Sequence, residues 1–260
     1  MVFWHLCANN DCILAGAGRK QSVMIEELNS LLYPAGLFYR GGFHPAPGDS
    51  APSLPDGKMA GTVLLIGNAG TSMWQAFEKE ADRSVRNPLD TWLREKIDAA
   101  AESVGAATIM PNEGPPFVPI QDWAMRAEPV FRSPIGILIH PDYGLWHVYR
   151  AALLFKEKLK LPPLADIPSP CAACAKKPCL TVCPADAFLP NSFKAEACAD
   201  HVDSAKGINC RDRGCLARRA CPVGRDHLYE PAQQAFHTAA MVGAVRRGFG
   251  GEPQDDKSSD

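Results

Sequence analysis

The stretch from Cys171 to Pro184 reads CAACAKKPCLTVCP and governs the C-terminal third of this 260-residue chain. Its cysteines follow the spacing C-x2-C-x4-C-x3-C-P. Four more cysteines come later, and the last of them, Cys221, again stands directly before a proline. Eight of the ten cysteines in the chain therefore lie between Cys171 and Cys221.

This spacing is typical of ligands to [4Fe–4S] clusters, although the middle gap is two residues longer than in the common bacterial run. A cubane cluster needs four thiolates, and in two-cluster ferredoxins the cysteine before the proline binds the other cluster. We therefore predict two clusters. The predicted ligand sets are Cys171, Cys174, Cys179 and Cys221 for one, and Cys183, Cys198, Cys210 and Cys215 for the other.

Zinc ligands and buried structural cysteines without a metal are the two alternative interpretations of these residues. A zinc site would favour two C-x2-C pairs, whereas this region has one. Basic residues around Cys215 would offset the negative charge of a cluster. A solvated basic surface explains them equally well. These residues are Arg211, Arg213, Arg218 and Arg219. Cys7 and Cys12, near the N-terminus, are interpreted as incidental.

Composition bounds the possible partners and the compartment. The chain is 46% apolar and 22% charged, as in ordinary soluble globular proteins. Its net charge of -2 gives no sign of a nucleic-acid binder, so we expect no nucleic-acid partner. No apolar run reaches the roughly 20 residues of a membrane span. Without a secretion signal, the expected compartment is the cytoplasm, where cysteines serve as metal ligands or redox groups.

The N-terminal part alternates helical and strand patterns, which predicts an α+β fold of packed layers. Helices are predicted over 24–32, 73–81 with Ser72 as cap, from 87 onward, and 120–127; strands are predicted over 62–67, 106–110, 135–140 and 145–149. Residues 41–52 are predicted to be loop because of their glycines and prolines. Gly67–Gly70 lacks the full phosphate-binding pattern, so an ordinary turn is expected there.

Changes in composition predict the domain boundaries. We expect a disordered leader over 1–22 and an α+β small-molecule domain over 23–161. A proline-rich linker over 162–170 joins it to a dicluster domain over 171–245, and a polar tail over 246–260 is expected to be disordered.

The cysteine module resembles that of epoxyqueuosine reductase and the reductive dehalogenases. The matched features are the first run with Pro184, the isolated Cys198, and the late pair Cys215 and Cys221 followed by proline. The wider middle gap is a departure from both. The resemblance implies a ferredoxin-like dicluster domain that delivers electrons to a corrinoid.

Residues 61–155 resemble the family of cobalamin-processing decyanases and dealkylases, on the motifs Asn87–Asp90 and Ile139–Arg150. Asp142 stands where that family has a basic residue. The resemblance implies a flavin-reductase-like α/β sandwich that binds cobalamin or a flavin. The candidate pocket residues are His140, Trp146, Tyr149 and Arg150.

Three functions are consistent with these observations. The first is a reductase that passes single electrons from its clusters to a corrinoid in the N-terminal domain. The second is a ferredoxin-like carrier whose N-terminal domain docks an electron donor or acceptor protein. The third is a cobalamin-binding chaperone in which the clusters are structural or sense redox state. The sequence leaves open whether the protein is an enzyme.

Overall fold

A computed structural model describes residues 23–51, 53–190 and 192–248. They mix helices and strands, which confirms the predicted α+β class. The chain divides into two compact units. The first holds the described residues up to Pro129 and Val148–Asp166; the second holds Val130–His147 and the described residues from Ile167 onward. The domain ranges predicted from the sequence stay a prediction. They place residues 130–147 in the small-molecule domain, whereas the division into compact units places them in the second unit.

A four-stranded sheet forms the centre of the first unit. Its strands are β1 (Phe38–Phe43), β2 (Thr62–Ala69), β3 (Ala107–Ile109) and β6 (His147–Phe155), in the order β1-β2-β6-β3. The pairs β1–β2 and β3–β6 are antiparallel. Residues 63–66 of β2 are fully buried, as expected for a continuous apolar run of this length.

Helices pack around this sheet at nearly the predicted positions. They are α1 (23–32), a 3-10 turn (Tyr33–Ala35), α2 (Ser72–Glu80), α3 (Pro88–Ser103) and α4 (Ile120–Ala127). Pro88 occupies the first turn of α3, where its missing N–H costs nothing. The prediction that Ser72 caps α2 is wrong, because the cap position is Thr71 and no side chain bonds the helix end.

The prediction that residues 41–52 are entirely loop is also wrong, because Gly41–Phe43 belong to β1. The register of β1 against β2 shifts between Tyr39 and Gly41, which marks a bulge. Gly41 has a φ of 130°, and a Cβ atom there would overlap the carbonyl oxygen of Ala127. Glycine is therefore needed at this position inside the strand, although glycines in the sequence are more typical of a loop.

The second unit is built from short elements. They are β4 (Phe131–Arg132), β5 (Leu138–Ile139), α5 (Pro178–Thr181), β7 (Phe188–Leu189), β8 (Ser192–Phe193), α6 (Ala195–Asp203), α7 (Ile208–Arg213), α8 (Leu216–Arg219) and α9 (Pro231–Arg246), with 3-10 turns at Ala205–Gly207 and Arg225–His227. Strand β4 pairs with β5, and β7 pairs with β8, both antiparallel.

The strands predicted over 135–140 and 145–149 differ from those observed. Gly136, at a φ of 81°, breaks the first, so that β5 is limited to Leu138 and Ile139. The predicted turn forms, closed by a bridge between His140 and Gly144. The second strand begins at His147 and runs on to Phe155.

Several predictions concern residues outside the described ranges: the leader over 1–22, most of the tail over 246–260, and Cys7 and Cys12. Helix α9 continues to Arg246, the first residue of the predicted tail. Among the described residues, no helix combines the length and the apolar character that a membrane crossing requires.

We predict that Gly41→Ala destabilises the protein by at least about 2 kcal/mol more than Gly57→Ala, because strain and overlap add at position 41. Gly57 is a matched control, since it also has a positive φ, of 80°, but faces open space. Urea denaturation of both variants measures the difference. Equal stabilities would show that the contact with Ala127 does not constrain β1.

Candidate iron–sulfur site

The eight cysteines of the C-terminal part lie in two groups of four, and each group lines its own cavity in the second unit. The first group is Cys171, Cys174, Cys179 and Cys221. The second group is Cys183, Cys198, Cys210 and Cys215. Space free of protein atoms, with the opening to solvent included, amounts to about 320 Å³ in the first cavity and about 420 Å³ in the second.

Turns and short helices position the first group. Cys171 and Cys174 lie in a turn in which the Cys174 N–H points to the Cys171 carbonyl oxygen at 3.4 Å. Helix α5 then begins at Pro178 and carries Cys179. Cys221 follows α8 and is tied to it by a bond from its N–H to the Arg218 carbonyl oxygen, 3.3 Å away. Prolines next to Cys171, Cys179 and Cys221 line the same cavity and restrict the backbone there.

The second group is collected from four separate elements. Cys183 follows α5, and its sulfur accepts a weak hydrogen bond from the Ala187 N–H at 3.5 Å. Cys198 lies on α6, Cys210 on α7, and Cys215 immediately before α8. The wide spacing of these cysteines in the sequence reflects the helices that intervene between them.

Burial and mutual repulsion act on the first group. Burial raises the pKa of the Cys171 thiol, and its neighbours Cys221, Cys179 and Cys174 raise it further. Burial likewise raises the pKa of Cys179 and of Cys221, with added repulsion from neighbouring thiols. Four thiolates in one place are therefore unfavourable without a compensating positive charge.

The second group behaves in the same way. Burial raises the pKa of Cys198 to about 11, with further contributions from Cys215, Cys183 and Cys210. Burial also raises the pKa of Cys215, although backbone N–H groups of Arg218 and Ala217 partly oppose this.

The donor set fits an iron–sulfur cluster in each cavity. Soft thiolate ligands select iron–sulfur clusters, zinc or copper(I), and iron would supply the missing positive charge. No three His, Cys, Asp or Glu side chains in the described ranges converge closely enough to hold a single metal ion. The fit therefore rests on the fourfold grouping of the thiols and their apolar surroundings.

The segment 130–147 supports the first group from within the same unit. Ile135, Ile139 and Leu145 form a buried cluster with Ala217 and Cys221. Gly144 and Gly224, both at positive φ, bring two backbones into contact, and a Cβ atom on Gly144 would overlap the carbonyl oxygen of Val223. The motif around Gly144 thus has a packing role that the sequence analysis missed. The sequence signal for this contact was the presence of two glycines, Gly144 in the motif and Gly224 shortly after Cys221.

The arginines that bracket Cys215 have different partners. Arg218 donates from Nε to the Leu145 carbonyl oxygen at 2.9 Å, and its guanidinium lies 4.6 Å from the ring centres of both Trp146 and Tyr229. Arg211 bonds the Val202 carbonyl oxygen. Arg219 bonds Asn209, and Arg213 is exposed. Of these four arginines, Arg218 combines bonds to a carbonyl oxygen with contacts to two aromatic rings.

Two of the predicted pocket residues, His140 and Trp146, lie in the second unit and are buried. Nδ1 of His140 accepts hydrogen bonds from the N–H groups of Asp142 at 3.0 Å and Tyr143 at 3.2 Å. That nitrogen is therefore unprotonated, which places the ring proton of a neutral imidazole on Nε2. Trp146 packs edge-on against Tyr229.

The other two, Tyr149 and Arg150, lie in the first unit. The Tyr149 hydroxyl donates to Glu128, which pairs with Arg40 at 2.7 Å. Burial raises the pKa of Tyr149, and the nearby Glu128 carboxylate adds to the effect. Burial also raises the pKa of Glu128, although Arg40 opposes it. Arg150 donates to the Asn68 side chain at 2.9 Å.

Comparisons with known proteins show the fold. No protein-family model and no curated protein matches the chain. Two crystal structures of epoxyqueuosine reductase are similar. One, selenomethionine-labelled, gives a TM-score of 0.53 at 17% identity over 84% of this chain and 68% of that one. The other, with an epoxyqueuosine-modified tRNA stem loop, gives 0.50 at 18% identity with the same coverage.

The prediction that nucleic acid is excluded as a partner is wrong, because a protein of this fold has been solved with a tRNA stem loop. The net charge of -2 misled because it averages two parts of opposite sign. Residues 130–147 and 167–248 carry twelve lysines and arginines against eight aspartates and glutamates, an excess of four positive charges. Residues 23–129 and 148–166 carry twelve against sixteen, an excess of four negative charges.

We predict that Glu128→Gln lowers the free energy of unfolding by about 3 kcal/mol, because it removes the carboxylate that pairs with the buried Arg40 guanidinium. The matched control is Glu78→Gln, which breaks an exposed pair with Arg83 and should cost less than about 1 kcal/mol.

A double variant, Arg40→Met with Glu128→Gln, should recover part of the loss, since no unpaired charge then remains. Thermal or urea denaturation measures all three variants. Equal effects of Glu128→Gln and Glu78→Gln would contradict the assignment of a buried ion pair.

Proposed function

We propose that this chain is an iron–sulfur electron-transfer protein with two [4Fe–4S] clusters. The observation that carries the proposal is the division of the eight thiols into two groups of four, each at its own cavity. The fold shared with epoxyqueuosine reductase supports it. The cytoplasm remains the proposed compartment, since reducing conditions keep such thiols available. The domain boundaries predicted from the sequence also remain part of this proposal.

The chain's own residues would hold and tune the clusters, which supply one-electron transfer when bound. Each group provides four sulfur ligands from a largely apolar wall. Backbone N–H groups of Arg218 and Ala217 point to the Cys215 sulfur, and Ala187 N–H points to Cys183. Such hydrogen bonds stabilise negative charge on sulfur and raise the reduction potential.

We predict that anaerobically purified protein contains about eight irons and eight sulfides per chain. Cys179→Ser should remove the first cluster and Cys210→Ser the second, so each should leave about four irons with an EPR signal from the other. Cys12→Ser serves as the control and should leave the iron content unchanged. About four irons in the unmodified protein would contradict the second set.

We further propose a corrinoid as the electron acceptor, bound by a flavin-reductase-like N-terminal domain. The motif resemblance over Ile139–Arg150 supports this proposal, and of its candidate residues Tyr149 and Arg150 belong to the first unit. Mixing the protein with cob(III)alamin and a low-potential reductant should change the visible spectrum of the corrinoid. Absence of binding at high micromolar concentration would instead favour an electron carrier.

RNA is proposed as a partner of the second unit. The stem loop bound by a protein of this fold and the local excess of positive charge favour it. Several exposed basic side chains of this unit pair with no carboxylate among the described residues, and so remain available to phosphates: Lys176, Lys177, Lys194, Lys206 and Arg213.

We predict that Lys176→Ala with Lys177→Ala weakens binding of a tRNA stem loop several-fold at 100 mM salt. The dependence of log K on log salt should become shallower by about 0.7–0.9 for each lost phosphate contact. Lys58→Ala with Lys79→Ala, in the first unit, is the control of equal charge. Equal losses in the two double variants would place the RNA away from this basic surface.

A further inference from the structure

A third cavity lies in the second unit, beside the second thiol group. The space in it that a water-sized molecule can occupy is about 480 Å³, within the 300–1,000 Å³ usual for small-molecule sites. Aliphatic and aromatic side chains make up most of its wall, including Ile135, Ile137, Phe188, Phe193 and Met241. Arg218, Gln234, His237 and Thr238 supply its polar side chains.

This cavity shares a wall with the cavity of the second thiol group. Cys198 and Cys215 line both, as do Phe188, Thr238 and Met241. A molecule bound in the third cavity would therefore lie directly beside two of the four sulfurs.

Two polar groups in the wall have capacity for a ligand. Arg218 is held by its bonds to the Leu145 carbonyl oxygen but pairs with no carboxylate among the described residues. Gln234 is 7% exposed and donates from Nε2 to the Tyr229 carbonyl oxygen at 2.7 Å. Its Oε1 accepts no hydrogen bond within the described ranges. Leaving a buried acceptor unpaired costs about 1–3 kcal/mol, so a donor is expected to meet it.

Gly214 and the aromatic wall define the shape of the site. A Cβ atom on Gly214 would overlap Gln234 Oε1, so the Gln234 side chain packs directly on the glycine backbone. Phe188 and Phe193 stack at 5.2 Å with an angle of 24° between their planes, and both line the cavity. Flat rings on the wall favour a flat ligand, since aromatic groups pack best face to face with an offset.

We propose that this cavity binds a planar heteroaromatic molecule with an imide edge, in which an N–H stands beside carbonyl oxygens. The N–H would donate to Gln234 Oε1, a carbonyl oxygen would accept from Arg218, and the ring would pack against Phe193. Flavins and uracil bases have this edge, and pterins present a related edge with one carbonyl oxygen beside the N–H. The inference concerns binding and does not require the clusters to accept electrons from the ligand.

The test is equilibrium dialysis of the anaerobically purified protein with riboflavin, a pterin and uridine as separate probes. At least one should bind with micromolar affinity, and the preferred probe identifies the ring system. Phe193→Ala should weaken that binding about tenfold. Leu189→Ala is the matched control, because Leu189 lies on the same hairpin at similar exposure but outside the cavity wall.

Two further measurements separate the site from general surface binding. Ile137→Trp should fill the cavity and abolish binding. The preferred probe, methylated at its imide nitrogen, should bind the unmodified protein at least tenfold more weakly, because Gln234 Oε1 then stays unpaired. Iron and sulfide are counted in every sample, so that loss of a cluster and loss of the ligand site are distinguished.

Failure of all three probes to bind at millimolar concentration would overturn the proposal. Equal binding by Phe193→Ala, Leu189→Ala and the unmodified protein would overturn it as well, because the probe would then lie elsewhere.

Discussion

Four thiolates within one apolar cavity repel one another and lose their hydration, and the second unit is organised around this cost. Burial and neighbouring sulfur atoms raise the pKa of Cys171 and Cys198 above the usual range for thiols. The short helices, the prolines and the backbone N–H groups around the sulfurs can be understood as the means of holding such a charge. The positive charge of Arg225 partly opposes the rise in the pKa of the Cys221 thiol.

The cysteine spacing was the part of the sequence that could be interpreted most directly. In two-cluster ferredoxins, the cysteine before the proline binds the cluster that the other run of cysteines holds. Applied to the spacing alone, this rule gives the same two sets of four that line the two cavities. A continuous apolar run likewise located β2 within two residues of its observed bounds, 120–127 was predicted and observed for α4, and Pro88 marked the start of α3. These signals are local, or follow a rule about spacing that does not depend on the surroundings.

The features that were missed depend on tertiary contacts. Gly41 looks like a loop residue, yet it lies in a strand because α4 passes too close for any side chain. Gly144 stood within a motif taken for a ligand pocket, and the structure shows that the Val223 backbone requires its small size. Net charge failed as a guide to partners because opposite excesses in the two parts of the chain cancel in the sum.

The placement of 130–147 in the second unit has a consequence for synthesis of the chain. Ile135, Ile139 and Leu145 leave the ribosome well before the residues that bury them, since 75 residues separate Leu145 from Cys221. At translation rates of about 5–20 residues per second, these side chains wait roughly 4–15 seconds for their partners. During that interval the nascent chain presents an uncovered apolar segment, which is the kind of surface that chaperones recognise.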